Sequence, residues 1–494
     1  MIYNKIFQSE NENNYLISSE ENNIIFIHPA IKQIFNFDLQ GKALLWDSSL
    51  ECREDEFEHY QNQYLFFKEK GWFKKPEHNF TSSLGLDNIV NKLANIRQVL
   101  FEVTDACNLN CKYCGYGELY SNYDCRNNTY MHFEMAKSLI DYLWQYWASD
   151  YNVSYNNFIT LGFYGGEPLL NINLIRKIIA YVEEKNSIGL KFKYNMTTNA
   201  MLLHKYVDYL YDKNFSVLVS LDGDKYGNSY RITKNGQNSH SVIIHNVDLL
   251  KARYPKYFEE HITFNAVLHN RNSTESVVKY VLEKYNKIPR VSELNSNGIR
   301  KDKEAEYWQM FKDKFKDIEA AENCEELKAE IFYDNPEISN IDTFINQYSG
   351  NSFFSYNDLL ANRSRIKYLP TGTCYPFQKK IFLTANGKIL PCEKIGQEET
   401  LGHIENSTVF IDLNKIVEKY EKKYQDLIPQ CKYCFRGKIC AQCFYFLKTK
   451  NGKTYCPNFQ PIREFNNYCS YVFSHLEKKP EIYEQLLTEI YLDV

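Results

Sequence analysis

The stretch TDACNLNCKYCGYGELY, residues 104–120, contains three closely spaced cysteines. Cys107, Cys111 and Cys114 lie within eight positions, and the aromatic residue Tyr113 directly precedes the last of them. Three thiolates are one ligand too few for a closed tetrahedral zinc site or a fully ligated four-iron cluster. Either a fourth ligand comes from elsewhere in the chain, or one metal position stays open.

Charge and composition exclude several classes of protein. The 494 residues include 58 Lys and Arg against 62 Asp and Glu, a net charge of -4, so no field of one sign attracts nucleic acid or an anionic membrane. The amino terminus MIYNKIFQSENENN lacks the features of a secretory signal, and no apolar run approaches the ~18 residues that span a bilayer. We therefore expect a soluble, cytoplasmic protein with no nucleic-acid partner and no membrane partner.

The 14 cysteines favour metal binding over disulfides, because a reducing cytosol keeps thiols free. Most of them gather in residues 107–114 and in a C-terminal set that begins at Cys374. Cys52, Cys125 and Cys324 lie alone in the sequence. We expect Cys52 and Cys125 to be buried structural thiols.

Apolar periodicity divides the chain into five regions. The prediction is a small α/β domain over residues 1–75, a linker over 76–96, alternating strands and helices over 97–300, a helical bridge over 301–365 and a cysteine-rich domain over 366–494. Repeated strand and helix units indicate a parallel sheet, either open or closed as a barrel. The first region shows two short apolar strands around a polar turn, followed by segments with helical spacing.

Polar groups stand at or just past the ends of five apolar strands in the third region. The five segments are TDACN, YGGEP, TTNA, SLDG and NAVLHN. Any one of them alone is typical of ordinary turns and caps. In a β/α barrel, however, the loops at this edge converge on one mouth, where active sites form. Their joint order therefore predicts one shared site.

At these residues the sequence resembles the radical S-adenosylmethionine (SAM) enzymes. The resemblance rests on the C-x3-C-x2-C motif with Tyr113, on the Gly-Gly-Glu-Pro turn of residues 165–168, and on polar residues at the strand ends that follow. It implies an α/β fold with a partial (β/α)6 TIM-type barrel. In this family the three cysteines hold three irons of a [4Fe-4S] cluster, and the fourth iron stays open for the amino and carboxylate groups of SAM. A flavodoxin- or ferredoxin-type electron donor is also implied.

The resemblance assigns SAM contacts position by position. These residues are Tyr113, Gly165, Gly166, Glu167, Pro168, Thr198, Asn199, Ser220, Arg231 and Leu268. Tyr113 would lie beside the adenine and Leu268 would form its apolar wall, while the 165–168 turn would accept hydrogen bonds from the methionyl ammonium. Ser220 matches a ribose contact and Arg231 a contact to the methionyl carboxylate. Asp222 is expected to support its strand end, and it is also the second candidate for the carboxylate base that accepts the substrate proton.

The C-terminal cysteines resemble the seven-cysteine auxiliary-cluster region called SPASM, which implies two further [4Fe-4S] clusters. By that resemblance the distal cluster takes Cys431, Cys434, Cys440 and Cys456, and the proximal cluster takes Cys374, Cys392 and Cys443. One proximal ligand is missing. Cys469 or Cys324 completes the set, or an open iron binds a substrate thiolate. Paired C-x2-C units considered by themselves also fit zinc.

SPASM enzymes act mainly on peptides and proteins, and the N-terminal strand and helix order resembles the winged-helix-like module of ribosomal-peptide maturases. In that module a leader peptide adds as a strand to a sheet edge. We therefore expect a radical SAM oxidoreductase that forms a thioether or carbon–carbon cross-link in a precursor peptide with a leader. Two alternatives remain: an anaerobic sulfatase maturase that makes formylglycine, and a catalytically silent scaffold that only binds peptide.

Glu393 directly follows the predicted ligand Cys392 in ILPCEKIG. Converting a substrate radical to an oxidised product requires loss of a proton as well as an electron. A carboxylate beside a cluster could accept that proton, and burial would raise its pKa toward the working range. The alternative is that Glu393 only supports the cluster loop.

Overall fold

The computed structural model describes residues 3–18, 24–75, 78–122, 126–153, 158–332, 335–347, 369–371, 375–437, 440 and 442–488. In chain order the strands are β1 Ile6–Gln8, β2 Asn14–Ile17, β3 Ile24–Ile27, β4 Gln98–Thr104, β5 Phe158–Gly165, β6 Lys191–Thr198, β7 Ser216–Ser220, β8 Ile262–Val267, β9 Arg290–Ser292, β10 Ile381–Leu383, β11 Lys388–Leu390, β12 Gly402–Glu405, β13 Thr408–Phe410, β14 Lys448–Lys450 and β15 Lys453–Tyr455.

The α-helices are α1 Pro29–Leu39, α2 Glu54–Glu69, α3 Leu86–Ala94, α4 Phe133–Trp147, α5 Ile172–Lys185, α6 Val207–Asp212, α7 His240–Arg253, α8 Pro255–His261, α9 Thr274–Tyr285, α10 Glu304–Met310, α11 Lys314–Glu319, α12 Cys324–Glu330, α13 Pro336–Gln347, α14 Leu413–Cys431, α15 Ile462–Lys478 and α16 Glu481–Leu486. The chain forms two compact units. The barrel unit is Gly85–Phe332 with Tyr375–Glu418, and the terminal unit is Met1–Leu84, Tyr333–Cys374 and Lys419–Val494.

The barrel unit contains a ten-stranded sheet in the order β13-β12-β11-β10-β4-β5-β6-β7-β8-β9. The six strands β4 to β9 run parallel, and helices alternate with them along the chain. This confirms the expected α/β fold with six parallel strands. The carboxyl ends of these strands meet at one edge of the sheet, where the polar segments of the sequence were predicted to converge.

Alternating residues explain why these strands form one layer. On β7, Val217 and Val219 are buried in the apolar core, and on β8 Ile262, Phe264 and Ala266 occupy the same face with no exposed surface. The residues between them point to the opposite, inner face of the sheet, because successive side chains on a strand alternate. Burial of these apolar residues of β7 and β8 against the surrounding helices fixes the register in which the strands pair.

Strands β10 to β13 extend the same sheet beyond the predicted barrel. β10 pairs in parallel with β4, and β11, β12 and β13 follow as an antiparallel meander. The sequence placed residues 366–494 in one cysteine-rich domain, whereas residues 375–418 belong to the barrel unit because β10 completes the edge of β4. The predicted linker over 76–96 likewise contains helix α3, whose apolar residues Ile89 and Leu93 are buried.

The terminal unit contains a three-stranded antiparallel sheet in the order β1-β2-β3, packed against α1 and α2. The sequence predicts two of these strands, and β1, with only three residues, is too short to show an alternating pattern. Strand β1 faces α15, where Phe7 contacts Phe473 with ring centroids 5.4 Å apart. The bridge predicted over 301–365 divides: α10 to α12 belong to the barrel unit, and α13 belongs to the terminal unit. Among the helices of the described ranges, none has the length and apolar character needed to cross a membrane.

Candidate active site

The three cysteines of residues 107–114 follow strand β4 and line one cavity of about 170 Å³. Burial raises the pKa of Cys107, and it raises the pKa of Cys111 to about 12. The charges of neighbouring thiolates, including that of Cys114, add to both rises. Three adjacent thiolates repel one another, and a bound metal would neutralise their negative charge. This arrangement is therefore expected of metal-binding cysteines.

Two glycines bring strand β5 against the cysteine loop. A Cβ atom on Gly165 would lie 2.1 Å from the backbone oxygen of Thr104, and one on Gly166 would lie 2.1 Å from that of Ala106. Gly165 also has a φ of 142°, which L side chains rarely adopt. The Gly166 amide donates to Thr104 at 2.8 Å. Only glycine therefore permits this approach, and both glycines line the cavity.

The carboxylate of Glu167 is fully buried and already satisfied. It accepts hydrogen bonds from the Thr198 hydroxyl at 2.7 Å, the Asn199 amide at 2.8 Å and the Leu169 amide at 3.1 Å. Burial raises the pKa of Glu167 to about 7 despite these bonds. This side chain joins the ends of β5 and β6. Acceptance of hydrogen bonds from the methionyl ammonium by the 165–168 turn stays a prediction. Pro168 is buried in the turn that follows.

The ends of β6 and β7 contribute polar side chains to the same cavity. Asn199 lines it and donates to Asn108 at 2.7 Å, with its amide nitrogen 3.6 Å from the sulfur of Cys107. Thr198 and Ser220 also line the wall. The structure thus brings these predicted residues together with the cysteines.

Leu268 does not line the cysteine cavity. It is fully buried in an apolar cluster with Ala266, Val277 and Val278. Leu268 is two residues beyond Ala266 and faces the helices as that residue does. The predicted adenine wall at this position is therefore replaced by a core contact.

Asp222 organises a buried polar network behind Tyr113. Its carboxylate pairs with Arg231 at 3.0 Å, accepts a hydrogen bond from the Tyr113 hydroxyl and accepts another from the Val267 amide at 2.9 Å. Burial alone would raise the pKa of Asp222, but the Arg231 guanidinium, together with the His269 imidazole and the hydrogen bond from Tyr113, lowers it to about 2. Asp222 is therefore a charged support for the strand end, as expected, and its full burial removes it from contact with a substrate.

His269 and Arg126 are among the residues at the site that were not predicted from the sequence. His269 is fully buried, stacks on Tyr113 with centroids 5.6 Å apart and lies 3.7 Å from Asp222. His269 lies two residues beyond the end of β8, and this position near a strand end is the one sequence signal that could identify it. Arg126 donates to the sulfur of Cys114 at 3.1 Å and stacks on Tyr116.

Glu102 and Tyr116 form a second buried pair beside the cysteines. The Tyr116 hydroxyl donates to Glu102, which also accepts a hydrogen bond from the Ala385 amide at 2.8 Å. Burial raises the pKa of Glu102 to about 7. Tyr116 lines the cavity, whereas Glu102 lies behind it.

Glu393 lines the same cavity, and its carboxylate binds the Lys380 ammonium at 3.0 and 3.1 Å. The Cys392 thiol lies 3.5 Å from it. Burial alone would raise the pKa of Glu393, but the Lys380 ammonium, together with hydrogen bonds from the Glu393 backbone amide and from Cys392, holds the pKa below its usual value. The direction is opposite to the one expected from the sequence, because no sequence pattern indicated that Lys380 would pair with this carboxylate.

Two buried polar atoms without hydrogen-bond partners indicate whether the cysteine cavity suits a bound cofactor. The Nε atoms of Arg126 and Arg231 are both buried and make no hydrogen bond, and both side chains line the cavity. A bound anionic group would satisfy such donors. Across the described ranges, no three His, Cys, Asp or Glu side chains converge closely enough for a single metal ion. A cluster of several irons is larger than one ion, and the donor set of three thiols with two guanidinium groups suits an iron–sulfur cluster with an anionic ligand.

Four cysteines of the terminal unit also lie close to one another. Burial raises the pKa of Cys431, and the charges of Cys440, Cys434 and Cys456 raise it further. The Gln430 side chain fixes Cys456 through hydrogen bonds of 2.8 and 2.9 Å to its backbone. These are the four thiols predicted for the distal cluster.

The other cysteines have separate surroundings. Cys374 and Cys125 lie outside the described residues, while Cys443 belongs to the terminal unit and Cys392 to the barrel unit. The Cys469 thiol is fully buried, and burial raises its pKa well above the usual value. Cys324 packs against the apolar cluster of Leu268, and Cys52 packs against the core of the N-terminal sheet.

Comparison with known proteins identifies the domain that carries this site. The family model of the Radical SAM superfamily matches residues 101–282, from strand β4 into helix α9. This part of the chain belongs to that superfamily, as its sequence predicted. The family implies SAM and a [4Fe-4S] cluster as cofactors.

Two relatives are named as enzymes. The radical SAM cyclopropyl synthase TigE of Paramaledivibacter caminithermalis is 29% identical over 177 residues, which are 35% of this chain and 35% of TigE. The cysteine-type anaerobic sulfatase-maturating enzyme of Clostridium novyi is 25% identical over 190 residues, which are 38% of this chain and 47% of that enzyme. The similarity thus spans less than half of the length of each relative.

A solved structure shares the fold. It is that of histidine-tagged anSMEcpe with bound AdoMet, which covers 80% of this chain and 96% of its own, with a TM-score of 0.51 and 16% sequence identity. At this level of identity the likeness concerns the architecture alone.

Proposed function

We propose that this chain is a radical SAM peptide maturase that forms an oxidative cross-link, a thioether or a carbon–carbon bond, between side chains of a ribosomally made precursor peptide. The observation that carries the proposal is the groove beside strand β3 in the terminal unit, considered together with the cysteine cavity of the barrel unit. The first provides a place for a leader peptide, and the second provides the reactive centre.

The groove lies between β3 and α2 and encloses about 550 Å³. Strand β3 pairs with β2 on one side, and in the described chain its other edge has no partner strand. Phe26 is 61% exposed and Phe66 is 51% exposed at this groove. An open strand edge beside exposed aromatic side chains suits an extended peptide, whose backbone pairs with the strand while its side chains enter the groove.

The cysteine sets support a cofactor assignment. Cys107, Cys111 and Cys114 would hold the SAM-binding cluster, and the four thiols around Cys431 would hold the distal auxiliary cluster. Cys374, Cys392 and Cys443 are proposed for the proximal one. Because the Cys469 thiol is fully buried and Cys324 packs against an apolar cluster, we favour an open proximal iron over a fourth cysteine ligand.

When bound, the cluster and SAM supply the 5′-deoxyadenosyl radical that removes a hydrogen atom from the substrate, with electrons from a flavodoxin- or ferredoxin-type donor. The residues of this chain position that chemistry. Asp222 orients Arg231 and Tyr113 toward the cavity, and Glu167 fixes the backbone of Asn199 beside Cys107. The buried network excludes water from the centre.

Glu393 is proposed to accept the substrate proton, and the proposed auxiliary clusters would accept the electron that leaves the substrate radical. Its ion pair with Lys380 keeps it charged at neutral pH, so it can take up a proton without first losing one. Its place on the cavity wall and beside Cys392 puts that acceptor next to a proposed cluster ligand. Asp222 is not favoured for this role because it is fully buried and ion-paired.

Co-expression with short reading frames that neighbour the gene tests the proposal. Mass spectrometry of the isolated peptides should show the loss of two hydrogen atoms for each cross-link, and fragmentation should show the bridged residues. The Cys107→Ala variant should yield unmodified peptide. Unmodified peptide from the wild-type enzyme, with every cluster loaded, would contradict the proposal.

The second candidate function is anaerobic sulfatase maturation, which the similarity to the Clostridium novyi enzyme favours. It predicts a formylglycine aldehyde on a co-expressed sulfatase, which a hydrazide reagent would trap. A silent peptide-binding scaffold is disfavoured, because such a scaffold would not need three cysteines around a cavity with unpaired guanidinium nitrogens.

A further inference from the structure

The inner face of the parallel sheet is polar. On β7 the inward residues are Ser216, Leu218 and Ser220, since Val217 and Val219 occupy the outer, apolar face. The inward positions that line the adjacent cavity are Gln98, Leu100, Tyr164, Asn195, Thr197, Ser216, Leu218, Thr263 and Arg290. The inside of a closed β/α barrel is instead filled with branched apolar side chains.

These inward residues surround a second cavity of about 310 Å³. It shares Tyr164, Thr197 and Glu393 with the cysteine cavity, so the two spaces meet at these three side chains. Gln98 and Arg290 begin β4 and β9, and the cysteine loop follows the opposite end of β4. The second cavity therefore extends from the reactive centre toward the amino-terminal ends of the strands.

Five polar side chains around this cavity are not used by the fold. Within the part of the chain that the structure describes, the side chains of Gln98, Asn195, Thr197, Ser216 and Thr263 make no hydrogen bond. Five uncommitted donors and acceptors in one cavity provide binding capacity for a polar ligand, such as the backbone and side chains of a peptide.

The charges in the cavity are unequal. Lys380 is neutralised by Glu393, whereas Arg290 is exposed and its side chain forms neither an ion pair nor a hydrogen bond with any other described residue. One uncompensated positive charge remains. A guanidinium group binds a carboxylate through two parallel hydrogen bonds, which makes a carboxylate its best-matched partner.

We propose that this second cavity holds the core of the substrate peptide and that Arg290 selects a carboxylate group of it. The carboxylate is either an Asp or Glu side chain or the carboxyl terminus of the peptide. The inference rests on the proposed peptide maturase function. It adds a requirement on the substrate. The peptide must carry an acidic group that binds at the amino-terminal side of the barrel while its reacting residue lies beside Tyr164, Thr197 and Glu393.

Chemical footprinting of the loaded, full-length enzyme tests this without turnover. Phenylglyoxal labels accessible guanidinium groups, and mass spectrometry reports the labelling rate at Arg290. The probes are three tripeptides: acetyl-Gly-Asp-Gly-amide, acetyl-Gly-Gly-Gly with a free carboxyl terminus, and acetyl-Gly-Asn-Gly-amide, which has no carboxylate. Arg300, exposed and paired with Asp302, is the matched control.

We expect at least one carboxylate probe to slow labelling of Arg290 by about threefold at twice its dissociation constant. The Asn probe should leave the rate unchanged, and Arg300 should be labelled equally in all samples. Protection by the Asp probe assigns a side-chain carboxylate, and protection by the free-acid probe assigns the carboxyl terminus. Equal labelling with all three probes, or equal protection of Arg300, would overturn the proposal.

A charge exchange provides the second arm. With a precursor peptide that the wild-type enzyme modifies, Arg290→Glu should lose at least about tenfold in modification rate, and replacing the selected acid by Lys should restore it. If the wild-type enzyme modifies the peptide and the Arg290→Glu variant does so at the same rate, the carboxylate site is contradicted, while the maturase function stands. If the wild-type enzyme modifies no peptide, the maturase function fails, and the footprint still decides whether Arg290 binds carboxylates.

Discussion

The guanidinium group of Arg126 lies 3.1 Å from the sulfur of Cys114. The same side chain stacks on Tyr116, with its central carbon 4.7 Å from the ring centroid. A cation that donates a hydrogen bond to a cluster ligand stabilises the reduced cluster more than the oxidised one, because reduction adds negative charge. Arg126 therefore affects how easily the proposed SAM cluster is reduced.

Replacing Arg126 by Gln should lower the midpoint potential of that cluster. A tenfold fall in the ratio of reduced to oxidised cluster at fixed potential corresponds to about 59 mV for one electron. The measurement is a redox titration followed by electron paramagnetic resonance, using the signal that disappears in the Cys107→Ala variant. Arg300→Gln, an exposed site, should leave the potential unchanged. An unaltered potential in Arg126→Gln with full iron content would argue against this role.

The pH dependence of stability should reveal the buried Glu102. Its pKa is about 7 in the folded protein against a usual 4.5, so the folded state retains a proton that the unfolded chain releases between these values. Stability is therefore fully present below about pH 4.5 and falls as the pH rises through about 7, by up to about 3 kcal/mol. Urea titrations of the wild type and Glu102→Gln at about pH 5 and about pH 8 measure this loss. Parallel pH profiles for the two proteins would contradict the assignment.

The groove beside β3 should bind the leader peptide. Phe26→Asp and Phe66→Asp should each weaken leader binding about tenfold, because each removes an exposed aromatic side chain from the groove wall. Fluorescence anisotropy of a labelled precursor measures the affinity. Phe410→Asp is the matched control, since Phe410 is 48% exposed on a strand of the barrel unit.

These point variants test the groove more specifically than a deletion of residues 1–75 would. That deletion would also remove Phe7 from its contact with Phe473 on α15 and disturb the terminal unit. SAM cleavage without peptide should continue in both groove variants, because the proposed cofactor contacts lie in the barrel unit. Wild-type leader affinity in both variants would exclude this groove as the binding site.

Loss of the proposed base should separate SAM cleavage from product formation. In Glu393→Gln, iron content and SAM cleavage should remain near wild type, while peptide modification falls at least about tenfold. Lys380→Met should raise the pKa of Glu393, since it removes the cation that lowers it, and should shift the pH profile of modification upward. Normal modification rates in Glu393→Gln would assign this carboxylate to support of the cluster loop.

Local sequence signals located the cysteine loop, the 165–168 turn and the polar end of β6, because each is a short motif at the end of an apolar strand. The pairing of strands that are distant in the sequence could not be predicted. The residues around 381–383 contain no pattern that indicates pairing of β10 with the edge of β4. Side-chain direction explains the misplacement of Leu268, since a shift of one residue exchanges the two faces of a strand. Arg126 and Lys380 are single charged residues whose partners are set by the tertiary fold.

Iron and SAM-cleavage assays on the anaerobically reconstituted enzyme test the central claim most directly. The wild-type protein should hold about 12 irons as three four-iron clusters and should convert SAM to 5′-deoxyadenosine under reducing conditions. The variant with Cys107, Cys111 and Cys114 all replaced by Ala should lose about four irons and all SAM cleavage, while the auxiliary clusters remain. Continued SAM cleavage in that triple variant would contradict the assignment of these three cysteines as the site of radical chemistry.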